Sequence, residues 1–135
     1  MIAPRPLPTA LLDALRDEEE VLVTSRDAVS GKRGTVPMWF AVGPPGVVYL
    51  FTLAFTRKAQ RWQHDPWVRL TAPGSGVTAE GVVQPVSSDE LDAVAPLAVE
   101  RWDMAGATTA EGLRRLVEDG SHLLLRVEAA PLSAP

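Results

Sequence analysis

Between two apolar runs, Thr35–Val42 and Val47–Leu53, stands the tetrapeptide Gly43-Pro44-Pro45-Gly46, which can continue neither a helix nor a central strand. The chain has to reverse there. The two flanking runs are therefore predicted to be antiparallel neighbours joined by a tight turn. Val47–Leu53 is rich in β-branched and aromatic residues, as a strand would be. The same punctuation recurs along the chain. Val21–Ser25 precedes a loop over Arg26–Arg33 rich in Ser, Gly, Asp and Lys, and Trp67–Ala72 and Val77–Val86 flank a turn at Pro73–Gly76. With a last strand over Ser121–Ala129, this predicts six strands in mostly antiparallel order.

Four segments carry helical spacing instead. Leu11, Leu12 and Leu15 predict an amphipathic helix within Leu7–Glu20, with Pro8 in its first turn. A short helix over Thr56–Asp65 has to stop before Pro66. Ser87 with Glu90 is a capping-box pattern ahead of Leu91, Val94, Ala95, Leu97 and Ala98, predicting a helix to about Met104. Thr108 with Glu111 repeats the pattern ahead of Leu113, Leu116 and Val117, and Gly120 stands at the expected C-terminal cap. The expected architecture is mainly β with peripheral helices: a small closed or partly closed barrel in one domain, 1–135, a length that can close a core without staples.

Composition removes whole classes of chemistry. No cysteine is present, which excludes disulfides, thiolate catalysis and cysteine-held metals. His64 and His122 have no paired-ligand spacing, so no metal site is expected, and His64 reads as a helix-end residue. The serines lack a G-x-S-x-G context, Glu18-Glu19-Glu20 reads as solvated surface, and neither a G-x-G-x-x-G nor a Walker loop occurs. No protein catalytic residue is expected. A net charge of −4 and a pI near 5.1 argue against nucleic-acid binding. No apolar run approaches the ~20 residues of a membrane span. The N-terminal stretch turns acidic where a signal peptide would become apolar, so a cytoplasmic protein is expected.

One segment points to a ligand. Arg57 and Lys58 open the Thr56–Asp65 helix, although cations are ordinarily favoured at the other end of a helix dipole, and an anion is favoured at this one. On local residues alone, Arg57, Lys58 and Arg61 also fit the solvated face of a helix whose apolar side is Ala59 and Trp62. What separates the two readings is the ordered context. The succession YLFT, TRKAQRW and DPWVRL, with GTVPMWFAV before it and TAEGVVQPV after it, resembles the pyridoxamine 5′-phosphate oxidase-like family of flavin-binding split barrels, which includes the deazaflavin F420-dependent reductases.

That resemblance implies a six-stranded antiparallel split β-barrel that binds FMN, or alternatively F420, in a cleft between two subunits of a homodimer. It implies a phosphate held by Thr52, Arg57 and Lys58, with Arg61 standing where an Asn is frequent and Gln60 where a base is frequent. Pro37, Met38 and Trp39 fall on the strand that passes beside the ring, and Trp102 on a later helix. Trp62 and Trp67 are read as satellite core at the helix-to-strand corner. The implied function is hydride transfer between the cofactor and a small substrate, the cofactor supplying the chemistry. A non-enzymatic binding or scaffold protein on the same barrel is the alternative.

Overall fold

The structure, a computed structural model, describes residues 4–27, 29–54, 56–101 and 109–130, without the side chains of Arg57, Glu100 and Arg101. Six strands, β1 (Glu20–Arg26), β2 (Arg33–Gly43), β3 (Val47–Leu53), β4 (Trp67–Thr71), β5 (Thr78–Pro85) and β6 (His122–Ala129), close into an antiparallel barrel in the order β1-β2-β3-β6-β5-β4. The Gly43–Gly46 turn does what its composition requires. Gly46 donates its N–H to the Gly43 carbonyl at 2.9 Å and takes φ +129, where a side chain would be strained. β2 and β3 then pair with Ala41 opposite Tyr49. The β1–β2 loop closes on Asp27, whose Oδ1 accepts the N–H groups of Val29 and Ser30 at 2.9 Å each.

Strand β3 organises two cores. Its inward residues Val48 and Leu50 join Val23, Phe40, Leu70, Val127 and others inside the barrel. Its outward residues Val47, Tyr49 and Phe51 pack with Ala41 and Leu124 beneath Leu91, Val94, Ala98 and Leu113 of the helices α3 (Ser88–Arg101) and α4 (Ala110–Glu118). Helix α1 (Thr9–Leu15) adds Leu11 and Leu15 to the inner core. It is shorter than the expected Leu7–Glu20 helix. Leu7 is held earlier by its N–H on the Gly46 carbonyl, and Glu20 is taken into β1 opposite Trp39, so strand pairing overrides helical spacing.

Both late helices begin near the expected caps. Ser87 Oγ accepts the Glu90 N–H at 3.2 Å, but the Glu90 carboxylate turns to the Tyr49 hydroxyl and Arg126 instead of closing the box. Burial and this carboxylate push the Tyr49 phenol up to about 12. The second cap is Thr109, which accepts from Gly112 N–H at 3.0 Å, one residue after the expected Thr108. Thr108, and the expected stretch of α3 from Trp102 to Met104, lie outside the described residues. Gly120 takes φ +82 just beyond α4, as a C-terminal cap should. No helix among the described residues is long and apolar enough to cross a membrane.

Gly81, in the TAEGVVQPV strand, is where β5 meets β6 most closely. A Cβ built there would stand 2.7 Å from the Glu128 carbonyl oxygen and 2.8 Å from Val127 Cγ1. Because backbone cannot yield as a side-chain end can, Gly81→Ala should destabilise the fold by about 1–3 kcal/mol. Chemical denaturation checks this, and an unchanged unfolding midpoint would show that the strands accommodate the methyl group.

Candidate functional site

Helix α2 (Arg57–His64) crosses one end of the barrel and is fixed at both ends. Thr56 caps its start, accepting the Ala59 N–H on Oγ1 at 3.3 Å. At its end, Asp65 accepts the Trp67 N–H at 3.1 Å and forms an ion pair with Arg26 of β1, which holds the Asp65 carboxyl below its ordinary range. Ala59 and Trp62 are buried beneath it. The Trp62 indole N–H has no hydrogen-bond partner among the described residues, which costs ~1–3 kcal/mol. Removing ~150–250 Å² of aromatic surface from water, worth ~4–6 kcal/mol, outweighs that. Trp62 is thus full core rather than a satellite. Trp67 differs too: it joins neither core and is covered by the guanidinium groups of Arg26, Arg33 and Arg69, at 4.7, 4.8 and 5.6 Å from its ring centroid.

With Ala59 and Trp62 turned inward, Lys58 and Arg61 are only partly exposed at two adjoining cavities. The first, of about 250 Å³, is lined by Pro37, Met38, Trp39, Phe51, Thr52, Lys58 and Glu20. Five of the eight residues expected to contact a ligand therefore converge at one place. Arg61 lines the second cavity, of about 320 Å³, together with Lys58, Ser25, Gly34, Thr35, Val36 and Thr56. Arg57 opens α2, but its side chain, like Trp102, lies outside what is described.

The convergence follows from strand register. Phe40 pairs with Leu50, which carries Trp39 toward Phe51 and Met38 toward Thr52, and Glu20 pairs directly with Trp39. Phe51 and Glu20 are thus cavity residues that sequence reasoning missed. Phe51 alternates onto the face opposite Thr52, so it needed the β2–β3 register, and Glu20, read as solvated surface, needed the β1–β2 register. Trp39 is 46% exposed, an unusual share for tryptophan. Thr52 is 7% exposed and its hydroxyl has no hydrogen-bond partner among the described residues. His122 stacks in parallel on Phe51, 4.9 Å between ring centroids, with Nδ1 against Ser121 Oγ. The described residues contain no group that could hold a metal.

No family model matches the sequence, and no curated protein matches it. Solved structures do. A conserved hypothetical protein from Mycobacterium tuberculosis shares 23% identity at TM-score 0.66, over 97% of this chain and 86% of that one. The heme storage protein HutZ of Vibrio cholerae shares 16% at 0.65, over 94% and 92%. An F420 reductase shares 15% at 0.61, over 94% and 98%. A protein from Listeria innocua described as a pyridoxamine 5′-phosphate oxidase shares 10% at 0.61, over 87% and 89%. At such identities the likeness establishes the split-barrel fold, and the chemistry has to be argued from the site.

Burial lowers the Lys58 pKa from its ordinary value of 10.5, and no carboxylate among the described residues offsets this. A bound anion would reverse the shift. Anion affinity should therefore be full while free Lys58 holds its proton, and decline as pH rises from the depressed pKa of the free protein through the raised pKa of the complex. The chain has two lysines, so isotope-labelled lysine yields a simple spectrum. The Lys58 resonance is expected to titrate below 10.5 and to move upward with sulfate. Titration at 10.5 with no response to sulfate would contradict this account.

Proposed function

We propose that the protein binds a phosphate-bearing flavin or deazaflavin, with FMN the lead candidate and F420 the alternative, and transfers hydride between it and a small substrate. The observation that carries this is the meeting, in one cavity, of a desolvated lysine and a threonine hydroxyl, the one without a carboxylate partner and the other without a hydrogen-bond partner among the described residues, beside a half-exposed tryptophan. The first two suit a phosphate: Lys58 supplies charge-assisted donors and Thr52 a neutral one. Trp39 and Phe51 offer apolar and π surface to a flat heterocycle. When bound, the cofactor supplies the hydride chemistry, and the chain binds and orients it and limits water's access. The wider fold supports a flavin or deazaflavin ligand in general, since proteins of both kinds share it.

A homodimer belongs to the same proposal. Val36, Trp39 and Leu53 are 40%, 46% and 53% exposed around this end of the barrel, an apolar surface that a second copy would cover while closing the open side of the cavity. A neighbour of the same fold is described as a domain-swapped dimer. Sedimentation of the ligand-loaded protein should give twice the 14.5 kDa chain mass; a monomer with cofactor bound would refute the shared cleft.

The ligand assignment is tested at Thr52. Thr52→Ser keeps the hydroxyl, whereas Thr52→Val keeps the shape and β-propensity but leaves a phosphate oxygen without a donor. Cofactor affinity is expected to survive in Ser and to fall in Val by the equivalent of ~1–2 kcal/mol, about five- to thirtyfold. Equal affinities, with unchanged melting temperatures of the apo forms, would reduce Thr52 to a strand residue.

A further inference from the structure

One charged residue of the first cavity has no part in holding a phosphate. Glu20 lines that cavity together with Trp39 and Lys58. Its direction follows from alternation along β1. Val21 and Val23 are buried inside the barrel, so Glu20 falls on the outer face, and antiparallel pairing sets it directly opposite Trp39. The chain entering β1 is tied down just before it by Glu18, whose Oε1 accepts the Gly74 N–H at 3.0 Å. The exposed Glu20 carboxylate has neither an ion pair nor a hydrogen bond among the described residues. It does not compensate Lys58 either, since burial alone moves the Lys58 pKa, with no pull from a carboxylate. The cavity thus holds a cation and an anion kept apart, with Trp39 beside the anion.

We infer that Glu20 sets the hydride affinity of a flavin ring bound in this cavity, lowering it and so making the ring a stronger hydride donor. The inference rests on the FMN reading proposed above. Hydride is one proton with two electrons, so its transfer to the neutral oxidised flavin ring adds one negative charge. Its transfer on to a substrate removes that charge again, and the substrate then takes a proton from solvent. Of the charged residues lining the cavity, Lys58 is matched by the phosphate it holds, whereas Glu20 has no counter-charge. The remaining lining side chains, from Pro37, Met38, Trp39, Phe51 and Thr52, are uncharged. Glu20 is therefore the uncompensated charge facing a ring held against Trp39. It opposes the negative charge of the reduced ring by Coulomb repulsion, which water and salt weaken without abolishing. The oxidised ring carries no such charge and is bound without this penalty.

The reduction potential of FMN bound to the wild type, Glu20→Gln and Glu20→Lys tests this, measured in mildly alkaline buffer, where the reduced ring is anionic. Affinity for oxidised FMN is followed in parallel by ultrafiltration. Glu20→Gln keeps the size of the side chain and removes its charge. It is expected to raise the ratio of reduced- to oxidised-form affinity about three- to tenfold, a rise of ~15–30 mV for a two-electron couple, while oxidised FMN binds nearly as before. Glu20→Lys should raise the potential further, and both shifts should shrink at high salt, as an exposed charge requires. A potential unmoved in both variants, or equal shifts in Gln and Lys, as altered packing would give, would overturn the role of Glu20 and leave the Lys58 site standing. A wild type that does not bind FMN would remove the lead cofactor and this inference with it.

Discussion

The arrangement depends on β3 being buried on both faces. An antiparallel strand commonly alternates between core and water, but here Val48 and Leu50 fill the barrel while Val47, Tyr49 and Phe51 support α3 and α4. One apolar run of seven residues, Val47–Leu53, therefore couples the barrel interior to the helical layer. Its pairing with β2 and β6 fixes the register that sets Trp39 toward Phe51 and Met38 toward Thr52. A slip of one residue would exchange the two faces and send Phe51 into the barrel. The residues lining the first cavity are thus positioned by the same contacts that close the core.

Helix α2 is the second fixed point. With eight residues it is too short to be stable alone, and its position comes from tertiary anchors: the Trp62 ring in the barrel end and the Asp65–Arg26 ion pair at its C-terminus. Those anchors hold Lys58 and Arg61 partly out of water, where an ammonium or guanidinium attracts an anion more strongly than on an open surface. The two sequence-level readings of this helix, solvated basic face and anion site, differ in what its basic side meets. Its apolar side is core, and its basic side meets cavities instead of bulk water.

Much of this was legible in the residues. Turn chemistry at Gly43–Gly46 and periodicity in the Val47 run placed β3 at its observed bounds, and Gly120 marked the end of α4. What could not be read was information carried by register and long-range contact. Glu20 becomes a cavity residue only because β1 pairs it with Trp39, and the α1 helix is cut short for the same reason. The roles of Trp62 and Trp67 diverge because one faces the barrel and the other faces three arginines, which spacing along the chain does not encode. Glu90 likewise abandons its local capping partner for Arg126, 36 residues away.

The claim on which the account turns is that a planar heterocycle lies against Trp39. Titration of the apo-protein with FMN and with F420, followed by intrinsic tryptophan fluorescence in the wild type and in Trp39→Phe, measures this most directly. Saturable quenching by at least one of the two ligands is expected in the wild type, with most of its amplitude lost in Trp39→Phe while binding itself persists by ultrafiltration. No saturable binding of either ligand to the wild type, or quenching of equal amplitude in both proteins, would contradict it.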